Sequence, residues 1–162
     1  MEKRFLIRAA SRADVGELLR LIHELAVYEK LADQARGTEP ALAEALFGSR
    51  PACEALVAEL DGRAVGFALY FTTFSTFLCK PGLYLEDLFV EPAHRGAGIG
   101  KALLVPLAAL AVERGGGRFE WRVLDWNEPS IRFYESLGAT IMREWLLARV
   151  IGPALERLAG RG

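Results

Sequence analysis

The sequence predicts one mixed α and β domain, and three observations carry that expectation. The hydrophobic pattern switches repeatedly between period 2 and period 3.6. The chain has 162 residues, room for one domain at about 100–200 residues each and enough to bury roughly 70% of its unfolded surface. No repeat, linker or low-complexity stretch interrupts it, so residues 1–162 read as one continuous domain of order β-α-α-β-β-β-α-β-α-β.

Each element has a local cause. Residues 4–9 read as the first strand. Ser11 then caps a helix, with Asp14 three positions on in a variant of the capping box. Val15, Leu18, Leu19, Ile22, Leu25 and Ala26 form its buried stripe. Glu29 returns to that face at the end of the stripe, where a fraying helix would leave its carboxylate solvated. Thr38 caps a second helix over 39–47. Strands at 53–60 and 64–71 are joined by Asp61-Gly62, a two-residue hairpin signal. Residues 72–82 read as a loop that carries Phe74 and Phe77, expected as core or dimer contacts, and ends in Lys80-Pro81-Gly82. A fourth strand covers 83–90. The segment Arg95-Gly96-Ala97-Gly98-Ile99-Gly100 leads into a long apolar helix that Pro106 should kink and Gly115-Gly116-Gly117 stops. A fifth strand follows at 118–125. Asn127 caps a short helix with Pro129 in its first turn and Gly138 at its left-handed end. A last strand over 139–150 and a short tail helix complete the pattern.

Composition excludes several function classes. Lys plus Arg total 20 against 21 Asp plus Glu, a net charge of −1, without the basic excess of a nucleic-acid binder. Two cysteines and two histidines make neither a disulfide framework nor a zinc cluster, so no metal is expected. The start, Met1 to Arg8, carries charges too early for a secretory signal. The longest apolar run, Ala102 to Val112, is broken by Pro106 and falls well short of the ~20 residues that span a bilayer. A cytoplasmic protein with no membrane partner is the expectation.

A strand, a glycine-rich turn and a helix present free backbone amides and a helix dipole to a phosphate. A mononucleotide P-loop fails here because Lys101 is followed by Ala102 and Arg95 stands where its first glycine belongs. A dinucleotide fingerprint fails because Lys101 occupies its third glycine position. The pattern Arg/Gln-x-x-Gly-x-Gly/Ala is met by Arg95, Gly98 and Gly100.

That last pattern resembles the diphosphate loop of the GNAT superfamily of N-acetyltransferases. The likeness extends to Ile7-Arg8-Ala9-Ala10, to Glu24 through Glu29, to Leu83 through Val90, and to Trp126 through Tyr134. Together these segments resemble the spermidine/spermine (diamine) and thialysine branch over roughly residues 5–140. The resemblance implies a mixed, mostly antiparallel twisted sheet, split between strands four and five and flanked by helices on both faces. It also implies acetyl-CoA as cosubstrate and a homodimer. The diphosphate would lie on Arg95, Gly96, Ala97, Gly98, Ile99, Gly100 and Lys101. The main chain of Leu88, Phe89 and Val90 would pair with the pantetheine arm, and Asn127, Glu128, Pro129, Ser130 and Tyr134 complete the cofactor set.

Acetyl transfer to an amine needs a group to take the proton of an ammonium that titrates near ~10. Regular alternation puts Tyr84, Glu86, Leu88 and Val90 on one strand face and Leu85, Asp87 and Phe89 on the other, unless a bulge intervenes. The resemblance selects Glu86 as the amine-side acid and Tyr134 as the general acid for the leaving thiolate. Tyr28, Glu29, Glu86, Glu120, Trp121 and Arg122 match positions that contact substrate in the diamine enzymes. Glu144 matches a further acid, although the segment after Gly138 is shorter by about three residues. Arg122 departs from the branch, which carries an apolar residue there, and would suit a substrate with a carboxylate as well as an amine. A small amine, either a polyamine or a lysine-like amino acid such as thialysine, is the expected substrate. The alternatives are a non-catalytic acyl-CoA-binding module and a peptide or protein N-acetyltransferase. Cys79 has no His/Asn partners in the pattern, so direct attack in a ternary complex is expected. His94 reads as an exposed turn residue and His23 as one without a visible partner.

Overall fold

The structure is a computed structural model and describes residues 5–161; Arg4, expected to open the first strand, and Met1, Glu2 and Lys3 before it lie outside the described residues. The chain falls into two compact units, one reaching to Arg122 and one starting at Val123.

The first unit holds a five-stranded sheet of β1 (Leu6–Ala9), β2 (Glu54–Leu60), β3 (Arg63–Ser75), β4 (Lys80–Val90) and β5 (Phe119–Trp121), in sequence order. The first four strands are antiparallel neighbours and β5 runs parallel to β4. Asp61 and Gly62 have φ of 52° and 78°, the left-handed pair that a tight two-residue hairpin requires between β2 and β3.

Helix α1 (Val15–Tyr28) and helix α2 (Glu39–Phe47) pack on one sheet face, where Leu18, Leu21, Leu25 and Leu46 join Val57, Phe67, Leu69 and Phe89 in a buried cluster. Leu21 is fully buried whereas Leu19 is not, so the stripe is centred one position away from the expected one. Thr38 Oγ1 accepts the Ala41 amide at 3.4 Å, capping α2 as anticipated. Helix α3 (Ile99–Glu113) covers the other face with Leu103, Leu104, Leu107 and Ala111. It continues through Pro106 and ends where the Gly116 amide reaches Ala111 O at 2.8 Å, with Gly115 at φ 73°.

Residues 72–82 are not a loop. β3 and β4 extend through them as a hairpin arm, pairing Thr73 with Gly82 and Phe74 with Pro81. Pro81 sits next to the strand's start, where a missing donor costs little, and the turn itself falls on Thr76–Cys79, with Cys79 at φ 49°. Phe74 and Phe77 are 65% and 92% exposed on this arm and so are not core. β5 stops at Trp121 instead of reaching residue 125.

The second unit contains α4 (Glu128–Ser136) and α5 (Gly152–Leu158). Asn127 Oδ1 accepts the Ser130 amide at 3.4 Å, and Gly138 at φ 94° ends α4, both as expected. The strand expected over 139–150 is absent: this stretch carries no regular structure. Its alternation fails at Arg143-Glu144 and at Trp145-Leu146-Leu147, and among the described residues no strand pairs with it. Trp145 and Leu146 are 74% and 91% exposed.

The entry to α1 is tied down electrostatically. Asp14 accepts from the Ser11 amide at 2.7 Å and from both Nη atoms of Arg8 at 2.8 Å, while Arg8 Nε reaches Glu59 at 2.8 Å. The Arg8 guanidinium holds the Asp14 carboxyl down at about 2. A carboxyl depressed below its unfolded value stabilises the fold above about pH 4 and loses that contribution as pH falls towards 2. Asp14→Asn is therefore expected to cost about 1–2 kcal/mol at pH 7 in urea melts. That difference should close as the melts are repeated towards pH 2; a difference independent of pH would refute the assignment.

Candidate active site

The site is organised by one extra residue in β4. Leu69 pairs with Asp87 and Tyr70 with Leu85, so Glu86 has no counterpart on β3 and forms a β-bulge. The bulge resets the alternation. Phe67 and Leu69 belong to the α1 face of the sheet, and Asp87 and Phe89 are their register partners. Tyr84, opposite Phe71 and stacked on it at 5.1 Å, shares that face. Unbroken alternation would have separated Tyr84 from Asp87; the face assignment expected from the sequence is corrected accordingly.

The same residue ends the pairing of β4 with β5. The two strands pair only over Leu83–Leu85 against Phe119–Trp121. From Glu86 to Val90 the edge of β4 that faces away from β3 carries no strand partner among the described residues. This is the anticipated split, and it leaves the main chain of Leu88, Phe89 and Val90 as an open edge able to pair with an extended ligand.

Three carboxyls meet beside the bulge. Glu86 is exposed, whereas Asp87 and Glu29 are half-buried. Burial, with the charges of Glu86 and Glu29 added, pushes the Asp87 carboxyl up to about 7. Burial alone raises Glu29, so it is not the solvated group that a frayed helix end would make it. Alternation hid Asp87 from the sequence reading; the adjacent acids Glu86-Asp87 were the signal that could have found it.

A cleft of about 730 Å³ opens along α1, lined by residues that include Leu19, His23, Val27, Tyr28, Phe89 and Arg95. Tyr28 precedes Glu29 and Phe89 lies two positions beyond Asp87 on one face, so the cleft adjoins the carboxyl cluster. The Arg95 guanidinium lies over the Tyr28 ring at 4.8 Å and the Phe89 ring at 5.5 Å, and its Nε donates to Val90 O at 2.9 Å. Arg95 thus joins α1 to the end of β4, a contact the motif alone did not reveal.

Beyond Arg95 the loop turns through Gly96 and Gly98, at φ 81° and 80°, conformations that L side chains rarely adopt. Nothing lies within 4 Å of where a Cβ would stand at either glycine. The first helical bond of α3 is donated by Ala102 to Gly98 O at 3.0 Å, so the amides of Ile99, Gly100 and Lys101 precede the ladder at a helix N-terminus. Such an arrangement is able to hold a diphosphate.

On β5, Glu120 is the register partner of Tyr84 and Trp121 that of Leu85. The Arg122 guanidinium lies 5.6 Å from the centre of the Tyr84 ring. In the second unit, Tyr134 and Ile131 are the buried face of α4, and Asn127 is buried at its cap. Glu128 and Pro129 are exposed in its first turn beside half-buried Ser130, and Glu144 is exposed on the irregular segment. The structure brings Tyr28, Glu29, Glu86, Phe89 and Arg95 together around one end of β4, with Asp87 added. His23 does have a partner, its Nε2 lying 3.2 Å from Ala35 O.

Comparison with known proteins names the family. Residues 23–139 match the model of the acetyltransferase (GNAT) family. The thialysine N-epsilon-acetyltransferase of Sus scrofa is 40% identical, the match covering 96% of this chain and 98% of the relative. The L-ornithine N5-acetyltransferase of Arabidopsis thaliana is 34% identical over 94% of this chain and 86% of its own. Among solved structures, an integron cassette protein of V. cholerae superposes with a TM-score of 0.81 at 29% identity, covering 98% of both chains. The glycine loop, the split sheet and these likenesses converge: the chain belongs to the GNAT family and is an acetyltransferase.

Proposed function

We propose that the protein moves the acetyl group of acetyl-CoA to the side-chain amine of a small, lysine-like amino acid by direct attack in a ternary complex. The observation that carries this reading is the carboxyl cluster at the point where β4 and β5 part, with Glu29 and Asp87 desolvated beside the exposed Glu86. Acetyl-CoA supplies the thioester; the amides from Gly96 to Lys101 bind its diphosphate and the open edge at Leu88–Val90 takes the pantetheine arm. Asn127, Glu128, Pro129 and Ser130 are assigned to the cofactor by the family pattern.

The ammonium arrives protonated and must lose a proton before it can attack. Asp87, near 7, is matched to accept it at neutral pH, with the exposed Glu86 beside it as the amine-side acid open to solvent. Tyr134 returns a proton to the sulfur as the thiolate leaves. Tyr28 and Glu29 line the amine's approach with Glu120 and Trp121, and Glu144 is a candidate further acid. Arg122, over Tyr84 on the same strand face as Asp87, suits the substrate's carboxylate. Relatives named for thialysine and for ornithine support an amino acid over a polyamine. The cluster of acids alone would equally suit a diamine, which makes Arg122 the discriminating residue. We also propose a homodimer, supported by the exposed apolar side chains of Trp145, Leu146 and Ile151. Its free thiols, Cys53 and Cys79, fit a reducing cytoplasm.

Thiol release from acetyl-CoA across thialysine, lysine, ornithine, putrescine and spermidine tests the reading. Amino acids are expected to lead, and Arg122→Leu to lower their kcat/KM about tenfold while sparing putrescine. Polyamine turnover that is indifferent to Arg122→Leu would reverse the choice. The pH profile tests the acid pair: activity should rise through about pH 7 as Asp87 ionises. Asp87→Asn is expected to remove that limb with a loss of about 10²-fold or more. If Glu86→Gln removes it and Asp87→Asn does not, Glu86 is the acceptor alone. Tyr134→Phe should lower kcat by about 10²-fold with KM little changed; unchanged kcat takes Tyr134 out of the acid role.

A further inference from the structure

Between the end of β4 and the glycine loop stands Glu91, one of the few buried charged residues of the first unit, 7% exposed. Its amide donates to Val65 O at 2.9 Å, continuing the sheet by one bond. Its Oε1 accepts from Arg20 Nη1 of α1 and from Arg63 Nη2 at the start of β3, both at 2.7 Å. Its Oε2 accepts from Arg63 Nη1 at 2.9 Å and lies 3.6 Å from His94 Nε2. His94, expected to be a bare turn residue, thus faces this carboxylate. Its backbone amide also donates to Glu91 O at 2.9 Å, closing the 3₁₀ turn Pro92–His94 that delivers the chain to Arg95.

The two arginines differ in how firmly they are held. Arg20 also binds Glu17, Glu24 and the carbonyl of Ala64 at 2.8, 2.6 and 2.9 Å, so it is fixed without Glu91. Arg63 is half-exposed, and the bidentate pair with Glu91 anchors its side chain. Bidentate guanidinium–carboxylate pairs fix orientation as well as distance. The Glu91 carboxylate therefore locks three elements, α1, the start of β3 and the turn after β4, at the base of the loop. Four residues separate it from Gly96 and the run of amides that follows.

We propose that Glu91 is a positioning residue for the cofactor: by clamping the base of the loop through Arg20 and Arg63, it presets the amides of Gly96–Lys101 for a diphosphate. The inference rests on the reading of that loop as the acetyl-CoA diphosphate site. It acts on the donor only, since neither Glu91 nor its partners belong to the carboxyl cluster assigned to the amine.

The test compares two acyl donors on the intact 162-residue chain, acetyl-CoA and S-acetylpantetheine, which carries the same thioester without the diphosphate. Glu91→Gln is expected to raise KM for acetyl-CoA about tenfold, with kcat and the KM of the amine within about twofold. Its kcat/KM with S-acetylpantetheine should match that of the wild type. Equal losses with both donors, or no loss with either, overturn the proposal and leave Glu91 a structural residue. If Glu91→Gln fails to fold, Arg63→Met decides: a rise of about threefold in KM confined to acetyl-CoA supports the clamp, and no rise overturns it. A wild type that uses both donors alike would show instead that the loop holds no diphosphate, which fails the underlying reading before Glu91 is considered.

Discussion

The middle of a sheet has no spare hydrogen-bonding capacity, because each strand gives its backbone groups to two neighbours, and a single unmatched residue must break that arrangement on one side. In this protein the unmatched residue is Glu86. On the β3 side the ladder resumes beyond it; on the β5 side it does not. One insertion in register thus produces an open backbone edge inside the fold, turns Asp87 onto the face shared with Tyr84 and Phe89, and brings the half-buried Glu29 within its electrostatic reach. The open edge and the placing of Asp87 both follow from where β4 stops being a regular strand.

The acids at that point come at a cost to the fold. A carboxyl held near 7 stays protonated over a range where its unfolded counterpart is ionised, so folding becomes less favourable as pH rises from about 4 to 7. Asp14 has the opposite sign: its partner arginine makes ionisation favourable, and it supports the fold at neutral pH. The chain therefore holds a stabilising carboxylate at the entry to α1 and a destabilising one where the chemistry is proposed, a division expected when a group is placed for reactivity instead of stability.

Features governed by neighbours in sequence were legible before the structure. Asp61-Gly62, Thr38, Asn127, Gly138 and the two glycines of the loop each answer a local steric or hydrogen-bonding demand, and each stands where that demand predicts. Features governed by partners distant in sequence were not. The bulge is a mismatch between β3 and β4, invisible in β4 alone, and it carried the assignment of Asp87 with it. The hairpin arm was hidden by Lys80-Pro81-Gly82, whose turn composition is overridden by pairing with Thr73–Ser75. Residues 139–150 differ in the other direction: a strand is expected there, yet a strand exists only where another one receives its bonds. The family motif named Glu86, Arg95 and the loop, but the guanidinium of Arg95 over Tyr28 and Phe89 needed coordinates to be seen.

The loop through Gly96 and Gly98 has a consequence for how such a chain can diverge. The groups it would offer a diphosphate are backbone amides, held by two left-handed glycines. Few substitutions elsewhere alter a backbone amide, so apart from the Glu91 clamp at its base this half of the protein is little exposed to drift in side chains. The groups proposed to face the amine are the reverse, single side chains at Glu29, Asp87 and Arg122, each replaceable by one codon change without disturbing a ladder bond. A lineage built on this plan can exchange one acceptor for another in small steps while inheriting its donor unchanged, and the few positions that decide the acceptor are where its history should be written.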